Sequence, residues 1–416
     1  MIPKPPDRSL KASVKARRVL IIVENLPVPF DKRVWNEATA LARAGYGVTV
    51  ICPVGKGYEL SREVLDGVAI YRHPHPLEAD GALGYALEYG SALFWEFVLT
   101  VRVALREGFD VLQACNPPDT LFMIGLFFKL FGKRFVFDHH DINPELYLAK
   151  FGRKDVFYRL VLALERWTFR TADISLATNE SYREIAIARG RMSPDRVFVV
   201  RSGPDLAKVH AVPPVERLKR GRSYLLGYVG VMGKQEGLRS LLDAMRHIVY
   251  VRGRTDVQCA LVGSGTELES LKSYCSSLGL DDYVEFTGRV PDDALLAYLS
   301  TADVCVNPDD ANEMNDKSTM NKIMEYMALG KPIVQFDLTE GRRSALEASL
   351  YARANDHVDL AEKILELLAD PARRAAMGAL GKQRVETELA WKYSELELLK
   401  AYSSLFAAKS RPTPSM

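Results

Sequence analysis

The sequence has few cysteines and no long apolar segment, and both absences narrow its class. Its five cysteines are scattered and include no C-x-x-C pair, which argues against a disulfide framework or a zinc site and indicates a reducing compartment. No run of about 18 uncharged apolar residues occurs, and no apolar segment of the signal-peptide type follows the basic N-terminus. We therefore expect a cytoplasmic chain without a membrane-spanning helix.

The sequence also lacks a strong net charge. Its 55 Lys and Arg residues nearly balance 53 Asp and Glu residues, which gives a formal net charge of +2. Residues 1–18 hold six of the basic side chains, namely Lys4, Arg8, Lys11, Lys15, Arg17 and Arg18. The remainder is slightly acidic, which disfavours a nucleic-acid binder and favours contact of the basic tail with an anionic membrane surface.

No G-x-G-x-x-G follows the first apolar run, so a dinucleotide-dependent dehydrogenase is disfavoured. That run, Arg18–Glu24, precedes an amphipathic segment from Asp31 to Ala44 and a second apolar run at Val48–Cys52. This order is typical of a β-α-β unit in a parallel sheet. The same pattern predicts strands at Asp110–Ala114, Arg134–Asp138, Ile174–Thr178 and Val197–Val200. The first half is therefore predicted to be a doubly wound α/β domain.

A basic, Pro-containing stretch between Val209 and Arg222 interrupts the pattern and predicts an interdomain linker. Strands are then predicted at Leu225–Val229, Val257–Val262, Val284–Phe286, Val304–Asn307 and Pro332–Phe336. We predict a flexible basic tail (1–17), a first domain (18–208), a linker (209–223), a second domain (224–385), a C-terminal helix that can pack back on the first domain (386–408) and a disordered tail (409–416). The fold class is thus α/β, with two Rossmann-like domains facing each other across a ligand-binding cleft.

The segment from Asn315 to Val334 has the most informative pattern for function. Asn315 or Ser318 is predicted to cap a helix that ends near Leu329 and is terminated by Gly330. The N-terminus of such a helix presents free backbone amides and attracts anions.

Four side chains and amides near that helix start are the candidates for ligand binding. The amides of Thr319 and Met320 would point out of the helix and hold an anion. Lys322 and Glu325 are three residues apart and would present a phosphate-binding cation and a hydroxyl-binding carboxylate on one face. The alternative is a solvated ion pair without a ligand.

The same segment resembles the donor-binding motif of the retaining family-4 glycosyltransferases, where two glutamates at a fixed spacing precede a small-residue turn and a strand. Glu325 matches the second glutamate and Lys317 occupies the place of the first. The matching residues after Glu325 are Ala328, Gly330, Pro332, Ile333 and Val334.

Other stretches match this family in the same order along residues 17–395. They are Pro27–Ala38, Asp138–Glu145, Gly227–Gly237, Val262–Gly265 and Phe286–Val290. The resemblance implies the two-domain GT-B fold, a nucleotide-sugar as donor substrate, and neither a metal nor a further cofactor. It also implies a retaining reaction in which the donor phosphate itself accepts the acceptor proton.

The resemblance assigns the donor site to loops of the second domain. Backbone amides near Gly230, Gly233, Gly263 and Gly265 would approach the donor, although glycines in such turns often serve only a positive φ. Arg289 and Val290 would border the nucleotide base. The donor-binding set is completed by Lys317, Ser318, Thr319, Met320 and Glu325.

The family usually grips the donor diphosphate with an Arg and a Lys, but the matching positions hold Val231 and Glu236. We predict that Lys234 and Lys322 take over this catalytic role, since charge builds on the departing diphosphate. Lys317, Arg342 or Arg343 are the alternatives for the second positive charge. Glu325 would hold ribose or sugar hydroxyls. The substituted cations also leave open a different donor or a weak enzyme.

In the first domain, the cluster Asp138-His139-His140-Asp141 has residue types that ligate metals. Neighbouring residues on a strand point to opposite faces, so we expect no metal there. By resemblance, His140 would hydrogen-bond the transferred sugar as a catalytic residue, and Asp141 or Glu145 would shape the acceptor side. Capping of the loop by these side chains is the alternative.

The loop from Asn25 to Arg33 is expected to face the acceptor. Its prolines stiffen the loop so that Asp31 and Arg33 project predictably, and Arg33 suits an acceptor phosphate. A surface charge on a helix is the alternative for Arg33.

The segments 83–105 and 120–131 are rich in aromatic and aliphatic residues and lie near basic ones. Most of these side chains should lie in the core. Some are expected to form a surface that attaches the protein peripherally to the inner face of the cell membrane. The resemblance implies a glycosyltransferase that acts on a saccharide, here predicted to be carried on a polyprenyl diphosphate during surface polysaccharide assembly. The alternatives are a nucleotide-sugar epimerase of the same fold and a non-catalytic nucleotide-sugar-binding scaffold.

Overall fold

The computed structural model describes residues 17–74 and 81–406, with the backbone alone for residues 81–89. The predicted C-terminal tail and nearly all of the predicted basic tail lie outside these residues. The first domain contains the strands β1 (Arg18–Val23), β2 (Gly47–Pro53), β3 (Arg62–Leu65), β4 (Val68–His73), β5 (Val111–Cys115), β6 (Arg134–His139), β7 (Ile174–Ala177) and β8 (Val197–Val199). Its helices are α1 (Lys32–Arg43), α2 (Gly81–Arg106), α3 (Phe122–Lys129), α4 (Asn143–Phe151), α5 (Val156–Thr171) and α6 (Glu180–Ala188).

The sheet of this domain has the order β3-β4-β2-β1-β5-β6-β7-β8. Every pair is parallel except β3 with β4. The chain winds outward from β1 to β4 and then returns to the other side of β1 with β5, so the topological switch lies between β1 and β5. Ligands of such sheets bind beyond the carboxyl ends of the strands at this switch.

The second domain repeats this plan with a smaller sheet. Its strands are β9 (Tyr224–Val229), β10 (Val257–Val262), β11 (Val284–Gly288), β12 (Val304–Asn307), β13 (Ile333–Phe336) and β14 (Ser349–Ala352). Its helices are α7 (Leu238–Arg246), α8 (Leu268–Ser277), α9 (Asp292–Thr301), α10 (Glu313–Lys317), α11 (Asn321–Ala328), α12 (Thr339–Ala345), α13 (His357–Ala369) and α14 (Pro371–Arg384). The order β11-β10-β9-β12-β13-β14 is all parallel and places the switch between β9 and β12.

Apolar side chains cover both faces of each sheet, as parallel sheets require. On β1, Ile21 faces one core cluster of the first domain and Ile22 faces the other, and both are fully buried. In the second domain, Leu226 and Cys305 likewise lie in opposite clusters. Successive side chains of a strand point to opposite faces of the sheet. Because both faces are covered by core, these strands appear in the sequence as continuous apolar runs.

The last helix, α15 (Trp391–Ser404), returns to the first domain. Trp391, Leu398 and Tyr402 are buried in the cluster that contains β1 and α1. The two chain crossings between the domains touch at Gly203, where a Cβ would lie 2.0 Å from the carbonyl oxygen of Leu389. A helix from the C-terminal part of the chain therefore completes the core of the first domain.

Three strands of the structure fall outside the strands predicted from the sequence. The β3–β4 hairpin pairs Arg62 with Tyr71, and its edge strand is too short and too polar to stand out as an apolar run. The edge strand β14 pairs with β13 through four residues, and it too is short.

Candidate active site

The cleft between the domains is bordered by the carboxyl ends of both sheets. At the two switch points lie the loops after β1 and β5 in the first domain and the loops after β9 and β12 in the second. Phe30, after β1, contacts the second domain through Arg289, whose guanidinium carbon lies 5.4 Å from the centroid of the Phe30 ring. Arg289 is otherwise exposed and Val290 is half-buried, so both predicted base contacts lie at the rim of the cleft.

The glycine turns after β9 and β10 pack directly on each other. A Cβ on Gly263, whose φ is +141°, would lie 1.9 Å from the carbonyl oxygen of Gly230. A Cβ on Gly265 would lie 2.5 Å from the carbonyl oxygen of Met232, and the Met232 amide donates to the carbonyl oxygen of Ser264 at 3.1 Å. Backbone packing alone thus requires these glycines, and their approach to a donor stays a prediction.

The helix predicted to begin at Asn315 or Ser318 is divided into α10 and α11, so this prediction is wrong. The side chain of Asn312 accepts hydrogen bonds from two amides and caps α10 upstream of the predicted position. The chain leaves the helical conformation at Ser318, and its hydroxyl donates back to the carbonyl oxygen of Met314 at 2.8 Å.

This division also moves the free amides of the second helix. Helix α11 begins at Asn321 with Met320 as an N-cap that offers no side-chain hydrogen bond. Thr319 and Met320 therefore precede the helix, and the amides that open it belong to Asn321 and Lys322. The predicted anion site on the Thr319 and Met320 amides does not have helix-terminus geometry.

Glu325 occupies the cleft side of α11. It is half-buried, and its carboxylate has no hydrogen-bond or ion-pair partner among the described residues. Burial raises its pKa, and the positive charges of Lys32 and Lys322 oppose that shift. Lys32 opens α1 of the first domain, so Glu325 faces that domain across the cleft.

Lys322 does not stand beside Glu325 as an available cation, contrary to the expectation from their spacing. Its Nζ atom lies 2.6 Å from Glu236 Oε2 and 2.9 Å from Asp309 Oδ1, and the side chain is 10% exposed. Tyr228 donates a further hydrogen bond to Glu236 at 3.1 Å. The acidic residue at position 236 thus neutralises the lysine that we predicted to hold phosphate.

The carboxylates around Lys322 carry more negative charge than the lysine offsets when both are ionised. Burial raises the pKa of Asp309 to about 7, because desolvation outweighs the attraction of Lys322. The second oxygen of Asp309 is buried without a hydrogen-bond partner. Lys322 and its carboxylate partners therefore give a diphosphate little positive potential.

Lys234 remains the accessible cation in the loop after β9. It opens the short 3₁₀ segment Lys234–Glu236 that follows Gly233, is exposed, and has no ion-pair partner within the part of the chain that the structure describes. Its placement is compatible with the predicted phosphate contact, which stays a prediction.

Lys317, predicted to bind the donor, contacts Glu145, predicted to bind the acceptor. Lys317 Nζ lies 3.2 Å from Glu145 Oε1 and 2.8 Å from Glu313 Oε1. Glu145 is also held by Arg189 Nη1 at 2.7 Å. Because each of these charges already has a partner, the pair forms an interdomain ion bridge in the structure.

Further polar contacts join the domains beside this ion bridge. Asn179 Nδ2 donates to the carbonyl oxygen of Lys317 at 2.8 Å and to Thr319 Oγ1 at 3.0 Å. The hydroxyls of Tyr182 and Ser318 lie 3.4 Å apart. The segment between α10 and α11 is thus positioned by the first domain.

Asp31 and Arg33 have structural partners that the acceptor hypothesis did not anticipate. Asp31 caps α1 by accepting a hydrogen bond from the Val34 amide at 3.0 Å. Arg33 points inward, where Nη2 lies 2.7 Å from Asp138 Oδ1 and 3.1 Å from Glu37 Oε1. Arg33 therefore does not project from the loop toward an acceptor phosphate as expected.

His139 and His140 point to opposite sides of β6, as the strand geometry predicts. His139 is fully buried and stacks near Phe137 and Tyr182. His140 stands at the cleft edge, with Nε2 at 2.5 Å from Asp138 Oδ2. The Asp141 amide and the His140 amide both donate to Asn116 Oδ1, which fixes the loop.

Cys115, Asp138 and His140 each bring a potential metal ligand within 4.8 Å of the others. The guanidinium of Arg33 already lies against the same Asp138 carboxylate. A positive charge at that position opposes a metal cation, and we assign no metal site to this cluster.

A buried polar network behind His140 was missed from the sequence. Gln113 Nε2 donates to Glu37 Oε2 at 2.7 Å and to Asp138 Oδ2 at 3.3 Å, and the Tyr402 hydroxyl donates to Gln113 Oε1. The polar glutamine inside the apolar run DVLQA was the one local signal. Nothing in the sequence links it to Tyr402, which lies hundreds of residues away.

Two family models match the chain, one on each domain. Residues 31–203 match the glycosyl transferase 4-like domain, and residues 223–370 match the glycosyl transferases group 1 domain. Together they cover most of the chain and assign it to the GT4-type glycosyltransferases.

Curated relatives are similar over part of the chain. One is a 2-deoxystreptamine glucosyltransferase of Streptomyces kanamyceticus, 28% identical over 55% of this chain and 60% of the relative. Another is a GDP-mannose-dependent monoacylated alpha-(1-6)-phosphatidylinositol monomannoside mannosyltransferase of Corynebacterium glutamicum, 29% identical over 38% and 41%. The matched regions thus span about half the length of these relatives.

Solved structures share the whole fold. Sucrose-phosphate synthase of Thermosynechococcus elongatus aligns with a TM-score of 0.76 at 19% identity, over 94% of this chain and 99% of that chain. HepE of Anabaena in complex with UDP and glucose has a TM-score of 0.70 at 15% identity, over 93% and 100%. WaaG, a glycosyltransferase involved in lipopolysaccharide biosynthesis, has a TM-score of 0.70 at 15% identity, over 94% and 100%. The predicted GT-B fold is confirmed.

Proposed function

We propose that the protein is a retaining, metal-independent glycosyltransferase that moves a sugar from a nucleotide-sugar to a saccharide acceptor. The bond between the anomeric carbon and the diphosphate oxygen breaks, and its electron pair stays on the diphosphate. The acceptor hydroxyl oxygen forms the new bond to the same carbon, and its proton ends on the departing nucleoside diphosphate. No cofactor is consumed in this balance.

The observation that carries the proposal is the carboxylate of Glu325 at the cleft, which has no partner in residues 17–74 and 81–406 as described. A half-buried carboxylate without a protein partner costs desolvation energy, and its raised pKa reflects this cost. Hydroxyl groups of a bound donor would supply the missing hydrogen bonds. Glu325 also stands at the position where the family pattern has its second glutamate.

The donor is tested first by a thermal-shift screen against UDP-, GDP-, dTDP- and ADP-sugars. Ligand binding to the native state stabilises it by RT ln(1 + [L]/Kd), so a donor at 100 times its Kd adds about 2.7 kcal/mol. We expect a rise in melting temperature with one nucleotide series and release of that nucleoside diphosphate on addition of an acceptor extract. UDP and GDP are the leading candidates because HepE binds UDP and one relative uses GDP-mannose.

The same screen separates the enzyme from two rivals. A shift without release of the nucleoside diphosphate would indicate a binding scaffold, which the neutralised Lys322 keeps open. Interconversion of two nucleotide-sugars without acceptor would indicate an epimerase. A folded sample with no shift in any series would contradict donor binding.

We also propose that the acceptor is a lipid-diphosphate-linked saccharide of surface polysaccharide assembly, reached by peripheral membrane attachment. Every helix in residues 17–74 and 81–406 is too short or too polar to cross a bilayer. Helices α2, α3 and α5 and the turn after α3 nevertheless leave large apolar side chains exposed, including Phe94, Leu105, Leu126, Leu130, Phe131, Leu160 and Trp167. A contiguous surface of this kind marks an interaction site.

Apolar side chains of α2 and α3 are adjacent, and α3 also contacts α5, which is rich in basic residues. The rings of Phe97 on α2 and Phe127 on α3 lie 5.2 Å apart, and Lys129 on α3 donates to the carbonyl oxygen of Thr171 on α5. Residues 150–171 hold six basic and two acidic side chains. Aromatic anchors beside cations suit an anionic lipid headgroup layer.

Vesicle flotation tests this attachment. We expect the protein to float with anionic vesicles and to float less in high salt or with zwitterionic vesicles. A Leu130→Ser/Phe131→Ser double variant should lower the partition coefficient about 10-fold or more, since each side chain loses apolar burial. The matched control is Tyr250→Ser/Val251→Ser, which removes comparably exposed side chains from the second domain. Equal loss in both variants would contradict the assigned surface.

A further inference from the structure

The charge distribution of the cleft is uneven between the two domains. In the second domain, Glu236 and Asp309 neutralise Lys322, and Val231 stands where a cation is usual for the family. A transferase must still stabilise the negative charge that accumulates on the leaving diphosphate. In the loop after β9, Lys234 stays accessible, and we therefore look for a second compensating charge in the first domain.

The surroundings of His140, at the edge of the first domain, favour its protonated form. Its Nε2 atom is 2.5 Å from Asp138 Oδ2, and no described residue hydrogen-bonds its Nδ1 atom. Burial alone would lower the pKa of His140, but the Asp138 charge and the Asp138 hydrogen bond together outweigh burial and raise the pKa above its ordinary value. The side chain is 13% exposed, so the free ring nitrogen is accessible.

Asp138 is held rigidly behind the imidazole. Arg33 donates to it through Nη2 at 2.7 Å and through Nε at 3.4 Å, while Gln113 donates at 3.3 Å. Burial would raise the pKa of Asp138, but Arg33 and His140 more than offset burial and hold the pKa far below its usual range. Asp138 is therefore ionised at every pH at which the enzyme would work.

Arg33 is in turn fixed by the backbone around it. Its Nη1 atom donates to the carbonyl oxygen of Val200 at 2.6 Å, and its Nη2 atom lies 3.1 Å from Glu37. The pKa of Glu37 is raised to about 8, mainly by burial and also by the neighbouring Asp138 charge, whose effect exceeds the opposing effect of Arg33. The acid that stays charged beside Arg33 at neutral pH is thus Asp138.

The groups that face His140 come from every element packed against it. They are Asp31, Arg33 and Glu37 from α1, Cys115 from β5, and Asp138, His139 and Asp141 from β6 and its loop. Burial raises the pKa of Cys115 well above its usual value, and burial lowers the pKa of His139 to about 3. Both are neutral near pH 7. Among the carboxylates, Asp138 raises the pKa of His140 most, through its charge and its hydrogen bond, and Asp31 adds a smaller contribution.

We propose that Asp138, clamped by Arg33, is a positioning residue that fixes His140 as a charged hydrogen-bond donor to the donor diphosphate or the transferred sugar. This inference rests on the proposed transferase function. His140 keeps its proton throughout, and its N–H bond strengthens toward the oxygen on which negative charge grows. The first domain thereby adds a positive charge to that of Lys234 and replaces the one that Lys322 cannot offer.

The decisive variant is Asp138→Asn, which keeps the shape of the side chain and removes its charge. The seven histidines of the full chain are labelled and titrated by NMR, with His140→Gln to assign the resonance. We expect the titration midpoint of His140 to fall by about one pH unit or more in Asp138→Asn. The control Asp110→Asn removes a carboxylate charge whose described side-chain contact is a hydrogen bond from the Arg18 amide, and it should leave the midpoint unchanged.

The second readout is the pH dependence of turnover. His140 has a raised pKa, so its charged form persists below that pKa and is lost as the pH rises through it. We expect wild-type kcat to fall on the alkaline side and Asp138→Asn to lose kcat at lower pH, with a drop on the order of 100-fold at neutral pH from misplacement of the ring. The donor KM should change much less than kcat.

A variant that preserves the carboxylate covers the case in which Asp138→Asn does not fold. Arg33→Lys keeps the positive charge but loses the bidentate hydrogen bonds to Asp138. It should lower kcat less than Asp138→Asn does, and the pKa of His140 should stay raised. An unchanged His140 titration in Asp138→Asn overturns the proposal, as does a moved titration with an unchanged pH profile. If the wild type turns over no donor, the transferase function fails. The positioning of His140 is then judged by the NMR resonance of His140. A shift of this resonance on addition of UDP or GDP supports the positioning role, and no shift overturns it.

Discussion

Replacing Glu325 with glutamine is expected to lower kcat/KM on the order of 100- to 1,000-fold, with little change in melting temperature. The carboxylate has no partner among the described residues, so its loss breaks no contact of the folded protein. A bound donor would lose a charged hydrogen-bond acceptor, and interactions of this kind are worth about 3–4 kcal/mol when they act on the transition state. Steady-state kinetics with the donor from the thermal-shift screen measures the effect.

Glu362→Gln is the matched control for Glu325→Gln. Glu362 lies on α13 and pairs with His247 at 2.9 Å, away from the strand ends that border the cleft. Its replacement should leave kcat/KM within about two-fold of the wild type, as for most surface substitutions. Wild-type kinetics in Glu325→Gln would contradict the assignment of this residue to the donor site.

The largest stability effect is expected from Arg33→Met. This change leaves Asp138 and Glu37 buried without their cation, and removal of one partner of a buried ion pair typically costs about 3–5 kcal/mol. The control is Arg43→Met on the same helix, whose partner contact with Glu395 is solvent-exposed on the arginine side and should contribute less than about 1 kcal/mol. Urea unfolding of both variants gives the comparison.

The pH dependence of the Arg33→Met deficit provides a second signature. In the wild type, the pKa of Asp138 lies below its ordinary value because Arg33 and His140 outweigh burial, so this stabilisation is present above pH about 4 and is lost as the pH falls. Without Arg33, burial favours a protonated Asp138. The difference in unfolding free energy between wild type and variant should therefore shrink toward acidic pH, and a constant difference would argue against an ionised Asp138.

The sequence alone predicted the two doubly wound domains and most of their central strands, because parallel strands that are buried on both faces leave continuous apolar runs. The strand Val257–Val262 has the predicted limits, and Asp31 and Ala44, the ends of the predicted amphipathic segment, are the caps of α1. The short edge strands β3 and β14 leave no such run. The break between α10 and α11 also escaped prediction, since the residues 318–320 contain neither glycine nor proline.

The candidate residues could be named from the sequence, but their partners could not. The motif around Glu325 follows from local order along the chain, and so does the position of His140 at a strand end. Only the tertiary structure brought Glu236 and Asp309 to Lys322, Glu145 to Lys317, and Arg33 to Asp138. Whether a charge is available to a ligand or is already neutralised depends on such long-range contacts, because side chains a few ångströms apart in space can be far apart in the chain. The sequence therefore determined the fold class and the loops that border the cleft, and the folded structure decided which of their charges remain accessible.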